Sequence, residues 1–251
     1  MRPAIFLVFL LVSLPAHNPE QIPAGTVLPV ELNMSLSLKS NPGQVITARV
    51  MQNVLVGPGF KIRAGSKILG HVIEVVRPAP GSDAEITFSF DALKISHNTI
   101  IPIVTDLRAL ASFVALNDAQ IPDTGPDRGT APAVYTTNQV GGDVVFRGGG
   151  PVTDGEEVVG KPVPGGVLGQ VRPNPSGECR GSIEGNERPQ ALWLFSTDAC
   201  GAYGYPGLTI AHAGRSDPVG RITLSAKEGG LNVRGGSGML LRVISSGQPQ
   251  S

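Results

Sequence analysis

The residues of this 251-residue chain that could do chemistry are two cysteines, four histidines and a small group of rings near the second cysteine. Cys179 and Cys200 leave no third thiol. In an exported chain an even count reads as one disulfide, closing a loop of about 22 residues and contributing about 3 kcal/mol through chain entropy. A free buried pair and a metal site are the alternatives, and only His212 lies nearby downstream as a further ligand. Trp193, Tyr203 and Tyr205 flank Cys200. They read either as a platform for a glycan or small molecule or as core, and the run Ala191-Leu192-Trp193-Leu194-Phe195 favours core. His17, His71 and His97 fall at a chain junction, in a strand and in a turn. His212 alone is close to a serine and an aspartate, Ser216 and Asp217. Proximity in sequence does not build a triad, because the fold sets the geometry.

Acidic residues form two small groups, Asp123 with Asp127, and Asp154 with Glu156 and Glu157. Neither has the full spacing of a calcium loop, and solvated turns account for both. No serine stands three positions before a lysine, and G-x-S-x-G, H-E-x-x-H and C-x-x-C are all absent. The glycine-rich pieces, Gly148 to Gly150 among them, lack the Lys-Ser/Thr of a phosphate cradle. The expectation is a non-enzyme, with no catalytic residue, no cofactor and no metal.

The first sixteen residues, MRPAIFLVFLLVSLPA, join a basic Arg2 to an apolar core and a small residue, Ala16. That pattern predicts a signal peptide cleaved after Ala16, and hence a periplasmic or extracellular protein. The apolar core is too short for a spanning helix of about 20 residues, so no stable membrane span is expected after cleavage. Lys+Arg and Asp+Glu are both 20, for a net charge of zero. Without a basic patch there is no electrostatic footprint for nucleic acid. Envelope proteins are the expected class of partner; composition leaves the oligomeric state open.

Two-residue alternation dominates the first half. Val30, Leu32, Met34, Leu36 and Leu38 fall on one face of an extended run. Predicted strands cover Val27–Lys39, Gln44–Val56, Lys67–Val76, Glu85–Ile95 and Thr99–Thr105, with turns at Pro42-Gly43, Pro58-Gly59 and His97-Asn98. Five strands with short links predict a small antiparallel barrel over residues 22–105. Leu107 to Leu116 fits a helix or a continued strand, within a connecting segment at 106–134. Glycine (33) and proline (22) are frequent, and glycine-rich pieces divide short apolar runs over 135–246. The fold class is therefore all-β: a barrel, then a Gly-rich, loop-rich β unit with one disulfide, then a frayed tail at 247–251.

Within the first unit, Ile22-Pro23-Ala24-Gly25-Thr26 precedes Leu28-Pro29-Val30, and Pro42-Gly43 precedes Val45. Ile62 to Gly70, IRAGSKILG, follows, and then a strand with Asp91 and Leu93 leads to Ile100–Ile103. These elements resemble the C-terminal β-barrel of TrbI-like channel scaffold proteins of type IV secretion and conjugation systems. The resemblance covers about a third of the chain and implies fold more than role. That family's inner-membrane helix, Pro-rich stretch and amphipathic insertion have no counterpart here, and stand-alone exported proteins with such a barrel are the better likeness. The expected function is an exported, non-catalytic envelope module for protein interaction or structure, with ligand binding through Trp193, Tyr203 and Tyr205 as the alternative.

Overall fold

A computed structural model describes residues 21–120, 136–142, 145–147, 151–154, 156–172, 188–227 and 230–247. Ala16, His17, Asp123, Asp127, Gly148 to Gly150 and Cys179 lie outside the described residues, so the signal peptide and the cysteine pairing remain expectations.

The first half supplies β1 (Val27–Leu32), β2 (Leu36–Ser37), β3 (Val45–Val50), β4 (Val54–Gly57), β5 (Phe60–Ile62), β6 (Lys67–Val76), β7 (Ala84–Lys94) and β8 (Ile100–Ala111). Helix α1 (Phe113–Gln120) follows. A second group comprises β9 (Thr136–Asn138), β10 (Val145–Arg147), β11 (Val152–Asp154), β12 (Glu157–Val163), β13 (Gly166–Gly169) and β14 (Gln190–Trp193). The chain ends in β15 (Gly201–Tyr203), β16 (Leu208–His212), β17 (Ile222–Ala226), β18 (Asn232–Val233) and β19 (Gly238–Ser246).

The molecule is all-β apart from α1 among the described residues, and it contains a closed six-strand antiparallel barrel. Its order is β8-β19-β1-β3-β6-β7, and β7 pairs back onto β8. Alternation explains the wall. Leu28, Val30 and Leu32 of β1, Ile46, Ala48 and Val50 of β3, and Ile86, Phe88 and Phe90 of β7 are buried in one cluster. Phe88 and Phe90 pack edge-on inside, with centroids 5.8 Å apart. A six-strand barrel is narrow enough for side chains to fill it, so its interior is core. Gly70 marks a register shift between β6 and β7, where a Cβ would stand 1.9 Å from the Ser89 carbonyl oxygen.

Alternation and short links predict a barrel over residues 22–105. The ring instead takes β19 as a member, pairing with β1 over Val27–Glu31 and with β8 over Ile103–Ala111. Two predicted strands are also cut short. Val27–Lys39 bends after Leu32, leaving Met34 and Leu38 only partly buried, and Gln44–Val56 breaks at Met51-Gln52-Asn53 so that β4 and β5 form a separate hairpin. Leu107 to Leu116 is strand as far as Ala111, because both edges of β8 are paired there. The helix starts only after Ser112, whose Oγ accepts from the Ala115 amide at 3.1 Å.

The expected unit at 135–246 divides in two by strand pairing. Strands β9 to β14 form their own antiparallel meander, order β14-β13-β12-β11-β10-β9. Strands β15, β16, β17 and β19 return to the barrel sheet, with β17 covering the Ala84–Phe88 edge of β7. The meander reaches the barrel through Trp193, Leu192 and Phe195, which share a buried cluster with Val27, Ala109, Leu240 and Leu116 of α1. Gln52 ties the layers together: its Oε1 accepts from the Trp193 amide at 2.6 Å and its Nε2 donates to the Val167 carbonyl at 3.0 Å.

Candidate functional site

The barrel has one seam. Strands β7 and β8 stay paired only between Ala92–Lys94 and Ile100–Pro102, then diverge. The chain after β16 fills the wedge: the Leu107 amide donates to the Ala213 carbonyl at 2.8 Å, and the Gly220 amide to that of Gly214 at 2.8 Å. Further along, β15 lies parallel on β8 at Ala109–Ala111.

Charge collects behind this seam. Leu107 belongs to the barrel core, so alternation places Asp106 and Arg108 on the outer face of β8, where the returning chain buries both. Arg242 of β19 stands opposite Asp106 in the ladder and donates to its Oδ2 from Nε at 2.9 Å and from Nη2 at 2.5 Å. Arg215, from the segment after β16, places its Nε 3.0 Å from the same oxygen. Arg108 turns to the neighbouring loop, donating to the carbonyls of Ala199 (2.8 Å), Thr197 (2.9 Å) and Arg172 (3.2 Å). Among the described residues Asp106 Oδ1 is buried without a hydrogen-bond partner.

Burial raises the Asp106 pKa above the usual carboxylate range, and the Arg215, Arg242 and Arg108 guanidiniums pull it back only in part. Burial also depresses Arg108, down to about 10, with the charges of Arg215 and Arg242 adding to it. Arg215 is lowered for the same first reason, and Asp106 opposes the shift.

A cleft of about 260 Å³ opens against this cluster. Its floor is Leu107 and Arg108, one wall is Cys200 to Ala202, and the other is Leu208 to Ala211 with Ala213 and Arg215. Among the described residues the walls are strand edges. Tyr203 accepts from the Ser112 amide, so parallel alternation turns the Ala202 peptide groups away from β8. Gly207 accepts from the Lys227 amide, so antiparallel alternation turns those of Ile210 away from β17.

The ring residues named from sequence are engaged elsewhere. Trp193 is buried in the meander–barrel cluster with φ of 50°. Tyr203 is partly buried against that cluster, its hydroxyl donating to the Cys200 carbonyl at 2.7 Å and accepting from the Cys200 amide at 2.8 Å. Tyr205 packs on the barrel cluster instead and bonds Ser237 Oγ at 2.5 Å. Burial raises the pKa of both tyrosines. Cys200 lines the cleft, whereas Cys179 lies outside the described residues.

His71 meets Asp91 Oδ2 at 2.8 Å and Ser89 Oγ at 3.4 Å, both through Nδ1. A catalytic serine and its orienting acid need opposite ring nitrogens, so this is a cross-strand polar cluster on the barrel wall. His212 sets Nδ1 2.7 Å from the Arg221 carbonyl oxygen and Nε2 3.4 Å from Ser216 Oγ, with a backbone carbonyl where a triad has its acid. Asp154 and Glu157 both pair with Arg172, at 2.6 and 3.5 Å, and Asp198 meets the same guanidinium at 3.3 Å.

The sequence reading missed Asp106, Arg108, Arg215 and Arg242. The signal was there: charges interrupt Val104-Thr105-Asp106-Leu107-Arg108-Ala109-Leu110 and Met239-Leu240-Leu241-Arg242-Val243-Ile244, runs too apolar to be a solvated face. Among the described residues no helix is long and apolar enough to cross a membrane. Comparison of the chain with family models, with curated proteins and with solved structures finds no match.

Proposed function

We propose that this protein is an exported, non-catalytic module of the cell envelope that binds another protein, and that the cleft between β15 and β16 is its binding face. The observation carrying the reading is that the barrel interior is packed core, while the seam between β7 and β8 leaves a cleft edged by two strands whose peptide groups turn into it. Strand edges of this kind recognise extended segments through main-chain hydrogen bonds. The N-terminal MRPAIFLVFLLVSLPA supports export, and the likeness of residues 22–105 to a secretion-scaffold barrel agrees with an envelope setting.

The test has two parts. Residues 1–20 fused to a reporter active only after export should yield an active reporter and a mature chain starting at His17. Tagged protein from envelope fractions should retain a partner that the A211F variant loses, because Ala211 is exposed on the cleft wall. An inactive reporter, or capture indifferent to A211F, would contradict the proposal.

A further inference from the structure

We propose that Trp193 is a strained latch, and that its release lets the β13–β14 end of the meander lift from the barrel while the barrel stays closed. The device is separate from the cleft between β15 and β16 and does not depend on that cleft being the binding face.

Trp193 has a φ of 50°, in the left-handed region where the Cβ of an L-residue crowds a neighbouring carbonyl. For a residue this bulky the conformation is unfavourable, and it persists only where surrounding contacts impose it. Those contacts come from both layers. The Trp193 amide donates to Oε1 of Gln52, from the break between β3 and β4, at 2.6 Å. Within the meander, the β13–β14 register shifts between Val167 and Leu168, and Val167 is the partner of Trp193. A Cβ at Gly166 would stand 2.5 Å from Trp193 Cα, so the backbone has no room on that side. On the barrel side, a Cβ at Gly238 would stand 3.2 Å from the indole ring. The strain is therefore tied to docking: it is imposed when the layers meet and relieved when they part.

The bonding places the weak end of the interface at this residue. Among the described residues no ladder joins β13 or β14 to the barrel sheet. Their hydrogen bonds to it run through two glutamine side chains. Gln52 holds Trp193 and Val167, and Gln190 of β14 accepts from the Val27 amide at 3.0 Å. Past the ends of these strands, the Arg108 guanidinium donates to the carbonyls of Arg172, Thr197 and Ala199. Bonds from an ionised donor are about twice as strong as neutral ones, so Arg108 is the pivot and the glutamines are the end that opens. Opening uncovers Leu192 and Trp193 on one side and Val27 and Leu240 on the other, apolar surface that the closed form keeps from any partner.

The experiment uses the purified full chain. Trp193 is its one tryptophan, so emission reports this site alone. Acrylamide quenching of that emission is followed through increasing urea, in parallel with hydrogen exchange of the β3 and β6 amides. The expected result is a rise in quenching at urea concentrations where those amides remain protected. A single transition shared by both readouts overturns the proposal. Hydrogen exchange at β13 in W193G and W193A then tests the strain. Both variants remove the ring, so they differ in backbone preference. A left-handed site favours glycine, and opening should be about fivefold rarer in W193G than in W193A. Equal opening, or rarer opening in W193A, overturns the proposal, because at an unstrained site glycine gains more freedom on release. If neither variant folds, the wild-type comparison alone decides.

Discussion

Asp106 and Arg242 face each other across the β8–β19 ladder, and the guanidinium holds one carboxylate oxygen through two nitrogens, at 2.9 and 2.5 Å. The pair joins the strand that ends the sequence-predicted barrel to the C-terminal strand that closes it. Arg215 binds the same oxygen, so Asp106 also holds the segment wedged into the seam. Removing the acid leaves buried cations without their shared acceptor. Asp106→Ala should lower stability by about 3–5 kcal/mol in urea unfolding. A loss below about 1 kcal/mol, the level of a surface pair, would show that the cluster does not lock the ring.

The pH dependence of that cluster has a definite sign. The folded pKa of Asp106 is raised above its unfolded value. The folded state therefore keeps a proton that the unfolded state has released, and this contribution is complete below the unfolded pKa and is lost as pH rises through the folded one. Asp106→Asn exchanges no proton and should lack this slope. Measured from acid to neutral pH, the urea midpoint of the wild type should fall relative to that of the variant as pH rises across that window; parallel curves would remove the assignment.

Gln52 is the polar rivet between layers. Its replacement by alanine strands the Trp193 amide and the Val167 carbonyl in a buried site. A cost of about 1–3 kcal/mol is expected. Hydrogen exchange should show the loss first at β13 and β14, while the amides of β3 and β6 keep their protection. Uniform loss across both sheets would mean that the layers unfold as one unit.

Gly70→Ala tests the close approach of β6 and β7. A methyl group there collides with the Ser89 carbonyl, so the strands must separate or the bulge must move. A destabilisation of about 1–3 kcal/mol is expected from thermal or urea melts. A neutral result would show that the bulge is more pliable than this packing implies.

Much of the architecture was legible because two-residue alternation is local. Val30, Leu32 and Leu36 are buried as the pattern requires. Barrel closure was not legible in the same way, because β1 meets β19 across nearly the whole chain and no local signal encodes such a partner. The seam was hidden for a related reason: Asp106 and Arg108 are adjacent strand positions on one face, but Arg215 and Arg242 come from distant segments. The aromatic group near Cys200 looked like a cluster only along the chain; in space Tyr205 serves one core and Tyr203 and Trp193 another.

The most direct measurement of the central claim is photocrosslinking in intact cells. A crosslinking residue placed at Ala211, exposed on the cleft wall, is compared with one at Val45, exposed on the β3 wall of the barrel. The account predicts a discrete adduct from position 211 and none from position 45. No adduct at 211, or the same adduct from both positions, would contradict it.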